Sequence, residues 1–183
     1  MNYFFISGTS KGIGKALCQK ILEDPKNKVV GISRSFGFEH PNFTHIQFNL
    51  AESGKIAALA EELFKMEEVP QKVVLINNAG ILGEVGPFGS VSDESLIELY
   101  NVNVIAPAIL MNIFINKFKG SPAEKIVINI SSGAGSRAMD GWGGYCSSKA
   151  AINMMSEVAA LESNIAENGF KIFSLAPGVV DTD

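Results

Sequence analysis

Tyr3-Phe4-Phe5-Ile6-Ser7-Gly8-Thr9-Ser10-Lys11-Gly12-Ile13-Gly14 decides the fold of this 183-residue chain. The stretch opens as an aromatic and β-branched run, the composition of a strand. Gly8, Gly12 and Gly14 follow in quick succession. Beyond them Ile13, Ala16, Leu17 and Ile21 recur on one helical face until Pro25 ends the pattern. A strand that passes through a glycine loop straight into a helix is the first unit of a parallel sheet with helical crossovers.

The rest of the chain repeats that alternation. Strands are expected over 3–7, 28–33, 45–50, 73–76, 125–131 and 170–175. Val73-Val74-Leu75-Ile76 and Ile126-Val127-Ile128 are apolar without a break, which suits strands buried on both faces of a parallel sheet. Ile56, Leu59, Ala60 and Leu63 predict a second helix, stopped before Pro70. Ser92 is a natural N-cap for a long helix over 93–118, in which Pro107 predicts a kink. A last helix is expected over 145–163. No linker, repeat or low-complexity segment divides the chain. The reading is one α/β domain, a doubly wound parallel sheet between two helical layers, of the Rossmann type. Val179-Val180-Asp181-Thr182-Asp183 stops just past the sixth expected strand, with no closing helix. The expectation is therefore that the C-terminal part of the fold is missing, leaving an unpaired strand edge.

Composition limits the function classes. The net charge is −4, the pI about 5.3 and the mean hydropathy +0.19. No basic block exists to hold nucleic acid. The N-terminus lacks the features of a signal peptide, and no uninterrupted apolar run reaches the length of a membrane helix. Cys18 and Cys146 are too few and too distant for a disulfide framework. They read as free thiols of a cytoplasmic protein. No metal-ligating set is assigned. Asn42-Phe43-Thr44 and Asn129-Ile130-Ser131 match the glycosylation pattern by chance.

The glycine loop has a chemical reading as well. Gly8 permits the tight turn, Gly12 lets backbone approach a phosphate, and Gly14 lets the helix lie close to the sheet. The helix N-terminus then offers free N–H groups and a positive dipole end to a dinucleotide pyrophosphate. Arg34 follows the second expected strand, near where an adenosine ribose lies in this architecture. No carboxylate stands there to take a 2′-hydroxyl, whereas a guanidinium can bond a 2′-phosphate bidentately. With Lys11 as a second cation, the pattern favours NADP(H) over NAD.

Tyr145 and Lys149 stand four residues apart, so a helix places them on one face. A free phenol, with a pKa near 10, is a poor proton donor at neutrality. A neighbouring ammonium stabilises its phenolate. Ser132 ends the strand expected over 125–131, at the carboxyl edge of the sheet where such folds bind ligands. A hydroxyl there can hold a substrate oxygen beside Tyr145. These groups suit proton transfer to or from the oxygen of a small carbonyl substrate.

With these residues the chain resembles the short-chain dehydrogenase/reductases over its whole length. The glycine loop (with Ser7 for the usual Thr), Asn77-Asn78-Ala79-Gly80, Asn103, the Ser132/Tyr145/Lys149 trio and Pro177-Gly178 with Val180 and Thr182 match in order. Gly141-Trp142, Tyr145-Cys146 and the run 177–182 look most like the sepiapterin and benzil reductase subgroup. The resemblance implies that Tyr145 is the general acid in reduction of a ketone or dicarbonyl. It implies that Lys149 assists Tyr145 and holds the nicotinamide ribose, that Ser132 orients the carbonyl, and that Asn103 holds a relay water. It places Ser10, Ile13, Asn78, Ala79 and Gly80 along the cofactor, with Pro177, Gly178, Val180 and Thr182 at the nicotinamide. Asn49, ahead of Leu50, replaces the family's usual aspartate near the adenine. The resemblance also implies a homodimer or homotetramer, through the apolar helices that carry Asn103 and Tyr145. Two other readings stay open: a reductase of carrier-bound acyl substrates, and a non-catalytic dinucleotide sensor.

Overall fold

In the computed structural model, which describes residues 1–178, six parallel strands form one sheet in the order β3-β2-β1-β4-β5-β6. They are β1 (Asn2–Ser7), β2 (Asn27–Ser33), β3 (Phe43–Gln47), β4 (Lys72–Asn77), β5 (Glu124–Ile130) and β6 (Phe170–Leu175). The helices are α1 (Gly12–Ile21), α2 (Ile56–Leu63), α3 (Asp93–Tyr100), α4 (Ala106–Phe118) and α5 (Gly143–Ile165). The doubly wound sheet expected from the alternation is present. Val180 and Thr182 lie outside the described residues.

Each face of the sheet has its own core. Tyr3, Phe5, Val73, Leu75 and Val127 pack against α2, α4 and α5 through Leu63, Leu110, Phe114 and Ala159. The ring centroids of Phe5 and Phe64 lie 4.9 Å apart at 89°, and those of Phe114 and Phe118 also lie 4.9 Å apart. On the other face Ile6, Val29, Val74 and Ile76 pack on Cys18 and Leu22 of the α1 region. Burial pushes the Cys18 thiol up to about 12, so it is an inert core group. That second face thins towards β6, where Phe173 and Leu175 are exposed. Among the described residues β6 pairs only with β5.

Strand register decides where the loops emerge. Ser7 stands opposite Ile32, and Asn77 opposite Asn129. The carboxyl ends of β1, β4 and β5 therefore open on one edge. The strand order reverses between β1 and β4, so the connections leave to opposite sides and a crevice opens between them.

Two details differ from the sequence expectation. β3 was expected to continue to Leu50, but it ends at Gln47, where its partner β2 ends at Ser33. Asn49 then accepts from the Ala51 N–H at 3.2 Å and the chain turns, which carries Asn49 and Leu50 away from the sheet and over the crevice. The irregularity expected at Pro107 lies just before it. Asn101–Ile105 is a π-helical turn, and the Ala106 N–H reaches the Asn101 carbonyl. Pro107 has no N–H to offer the carbonyl of Asn103, so the helix widens there. Ser92 does cap α3, accepting from the Ser95 N–H at 3.3 Å.

The continuous helix Asp93–Phe118 is long and apolar enough to cross a membrane by length and composition alone, with a mean hydropathy of 1.5 in its most apolar window. It is not an unbroken apolar run, because Glu94, Glu98 and Lys117 interrupt it. In the fold this helix lays Leu99, Ala106, Leu110, Phe114 and Phe118 into the interior, while Ile97 and Ile105 stay exposed.

Candidate active site

The crevice between the ends of β1 and β4 is built by backbone and small side chains. Gly8 adopts φ +77, and its N–H donates to the Ile32 carbonyl at 2.7 Å. A Cβ added at Gly14 would collide with the Gly8 carbonyl, so only glycine lets α1 seat this close. Ser7 Oγ accepts from the N–H groups of Asn78 (3.1 Å) and Ala79 (3.0 Å). In return Asn78 Nδ2 donates to the carbonyls of Ser7 (3.0 Å) and Gly8 (3.1 Å). The two loops are thus stitched together at the switch point.

The result is a cleft of about 370 Å³. Gly8, Ser10, Lys11, Gly12 and Ile13 form its floor at the N-terminus of α1. Arg34, Asn49 and Leu50 line one side and Asn78, Ala79 and Gly80 the other. Lys11 and Arg34 are both exposed there, and neither makes an ion pair among the described residues. Every predicted cofactor residue of the first four strand ends reaches this cleft except Gly14, which lies beneath it. Sequence reasoning missed Phe48, and also Glu98 and Val102, one helical turn apart, which reach the cleft from the long helix. A glycine-rich turn at a helix N-terminus suits a dinucleotide pyrophosphate.

A second cleft of about 380 Å³ adjoins the first and shares Ile13, Asn78, Gly80 and Ile81 with it. Ser132, Tyr145 and Lys149 line it, with Leu82, Trp142, Pro177 and Gly178. Lys149 is only 4% exposed, and its Nζ donates to the Ile130 carbonyl at 2.9 Å. Desolvation lowers its pKa to about 8. The same Nζ lies 5.7 Å from the centre of the Tyr145 ring, so the helical spacing does bring the pair together. Gly80 leaves room for this ammonium, since a Cβ there would lie 3.3 Å from Nζ. Ser132 Oγ accepts from the Ala134 N–H at 3.2 Å, capping the short 3₁₀ turn Gly133–Gly135. Among the described residues its own proton has no acceptor, so the hydroxyl is free to donate into the cleft.

Trp142 stands edge-on to Tyr145, with ring centroids 5.7 Å apart at 83°. Two perpendicular rings make a corner in which a flat group can lie. The spacing of three residues before Tyr145 is the signal that would have placed it on the same wall.

Asn103 is buried behind the cleft and does not line it. Its Oδ1 accepts from the Ile81 N–H at 2.8 Å, and its Nδ2 donates to the Ile81 carbonyl at 2.8 Å and to Ser148 Oγ at 3.1 Å. Its side chain therefore positions the loop after Gly80, a role that sequence alone did not suggest.

Residues 2–183 match the family model described as short chain dehydrogenase. The chain is 35% identical to a benzil reductase ((S)-benzoin forming) of Bacillus cereus, with all of this chain and 77% of that protein covered. It is 32% identical to sepiapterin reductase of Meriones unguiculatus, over 97% of this chain and 74% of the relative. Among solved structures, a 4-hydroxyisoleucine dehydrogenase complexed with NADH superposes with a TM-score of 0.85 at 27% identity, over 100% of this chain and 78% of that one. With its two adjoining clefts and these relatives, the chain belongs to the short-chain dehydrogenase family.

Proposed function

We propose that the protein reduces a ketone or dicarbonyl to an alcohol with NADPH. The observation that carries this reading is the adjacency of the two clefts: Tyr145, Lys149 and Ser132 face a small pocket that opens onto the dinucleotide cradle. A bound nicotinamide supplies the hydride. The chain does the rest. Ser132 donates a hydrogen bond to the carbonyl oxygen and fixes its direction. Tyr145 gives its proton to the same oxygen as negative charge develops. The Lys149 ammonium, close to the Tyr145 ring, stabilises the phenolate left behind. Trp142 and Leu82 favour a flat, apolar flank on the substrate, which agrees with relatives named for benzil and sepiapterin.

The preference for NADPH rests on Arg34 and Lys11 in the first cleft and on the absence of an acidic side chain at position 34. The solved relative carrying NADH is the counterweight. For assembly, we propose a homodimer or homotetramer. Met154, Val158, Leu161 and Ile165 of α5, with Ile97 and Ile105 of the long helix, are exposed large apolar side chains, and such patches mark interfaces. Free thiols and the absence of a basic patch fit a cytoplasmic enzyme without nucleic-acid or membrane partners.

The direct test is NADPH oxidation with benzil and other diketones. Tyr145→Phe should bind NADPH normally and lose about 10²–10⁴-fold in kcat; ordinary turnover by this variant would remove Tyr145 from its role. Arg34→Ala should weaken NADPH in a fluorescence titration and leave NADH almost unchanged, with the NADPH preference shrinking as salt rises. Equal affinity of the parent for both cofactors overturns the assignment. Sedimentation at micromolar concentration should give a dimer or tetramer, and a pure monomer refutes the assembly.

Lys149 gives a stability test. Its pKa is about 8 when folded and about 10.5 when unfolded. Between those values the unfolded chain holds a proton that the folded chain has released, so this group's contribution to stability rises with pH. Below pH 8 the buried charge opposes folding in full. Lys149→Met should therefore raise Tm of the cofactor-free protein at pH 7, with a gain that shrinks as the pH climbs towards 10. A gain that is constant with pH, or a loss at pH 7, contradicts the desolvation argument.

A further inference from the structure

Ser148 precedes Lys149 and is completely buried, at 0% exposure. It touches neither cleft, so neither the proton transfer nor cofactor binding described above gives it a task. Its hydroxyl donates to the Tyr145 carbonyl at 2.8 Å. A hydroxyl has a single proton. Towards Asn103 it can therefore only accept, and Asn103 Nδ2 donates to it at 3.1 Å.

That direction has a consequence for the whole carboxamide. With its NH₂ edge fixed on Ser148, Asn103 presents its other N–H to the Ile81 carbonyl and its oxygen to the Ile81 N–H, both at 2.8 Å. Rotated by half a turn, the same amide would set oxygen against oxygen and N–H against N–H. Ile81 is one of the loop residues that line both clefts. One buried proton thus links the helical turn of the proton donor to the wall between cofactor and substrate.

We infer that Ser148 is a positioning residue for the reduction, one that locks the Asn103 carboxamide and through it holds Ile81 at a fixed distance from Tyr145. The inference rests on the reductase reading above. It predicts a selective defect. The adenosine end of the first cleft, around Arg34 and Asn49, has no contact with this chain of bonds, so cofactor affinity survives. The geometry at the reacting centre does not.

Ser148→Ala removes one atom and leaves the packing almost unchanged. With NADPH and benzil, kcat should fall about tenfold, the rate equivalent of one buried hydrogen bond of about 1.4 kcal/mol. KM for NADPH should stay within about twofold. Measured by amide hydrogen exchange in the cofactor-free protein, Ile81 should lose protection while amides of β1 and β5 keep theirs. In an Asn103→Ala background the second change, Ser148→Ala, should alter kcat by less than about twofold, because the effect passes through Asn103. Unchanged exchange at Ile81 overturns the inference, as does loss of protection throughout the sheet, or a full second loss of kcat in the double variant. If the parent protein turns over no carbonyl with either nicotinamide cofactor, the reductase reading fails, and exchange at Ile81 alone decides whether the lock exists.

Discussion

The seam between β1 and β4 is the constraint on which the site depends. At a topological switch point the flanking connections part to opposite sides, and sheet hydrogen bonding ends where they part. Here the Ser7 hydroxyl takes up the N–H groups of Asn78 and Ala79, and the Asn78 carboxamide returns two bonds to the carbonyls of Ser7 and Gly8. Four polar contacts thus continue the pairing beyond the last ladder bond. They hold the glycine turn against the loop that leads to Gly80 and Ile81. Gly14 is the steric counterpart, because α1 can seat on this seam only where no Cβ intervenes.

Behind the seam the sheet is more polar than its apolar sequence runs suggest. Asn77 Nδ2 donates to Asn129 Oδ1 at 2.8 Å, and Asn129 Nδ2 donates to Ser156 Oγ at 2.8 Å. Ser156 in turn donates to the Ile152 carbonyl at 2.7 Å. The bonds tie the ends of β4 and β5 to α5, the helix that carries Tyr145 and Lys149. A one-residue slip of register between β4 and β5 would separate Asn77 from Asn129 and strand two buried amides. The network therefore favours the alignment that brings Ser132 to the cleft that Tyr145 also lines.

Much of this was legible in the sequence because its signals are local. The unbroken apolar run of β4 marked a strand buried on both faces, whereas in β5 Ile126 and Ile128 are only half-buried because that face of the sheet thins towards β6; the sixth strand agreed to the residue. The Tyr145–Lys149 spacing needed only a helix to bring both groups to one face. The glycine loop needed only a strand before it and a helix after it. Most of the rest was set by partners distant in sequence. The end of β3 follows the end of β2, which no property of residues 48–50 announces. The π-helical turn is local by contrast: Pro107 acts on the carbonyl of a residue a turn earlier, and the kink expected there takes this form. Asn103 was picked out by resemblance, yet its side chain binds Ile81, 22 residues away. Ser148 carries no local signal in the sequence, and only its neighbours reveal which atom its proton serves.

The active site also shows where stability is given up. A lysine at 4% exposure has shed most of its water and, among the described residues, keeps one carbonyl, that of Ile130, in exchange. A single neutral acceptor does not replace hydration, and the pKa near 8 records the shortfall. Under the proposed reduction the same desolvation would serve the chemistry. An ammonium in a low-dielectric wall acts on a nearby phenolate far more strongly than it would in water. A shallower Lys149 would stabilise the fold and weaken that field. Under that proposal, burial of the lysine and its action on the tyrosine are one physical choice, made by placing the two residues a single turn apart on a helix that packs its lysine side against the end of β5.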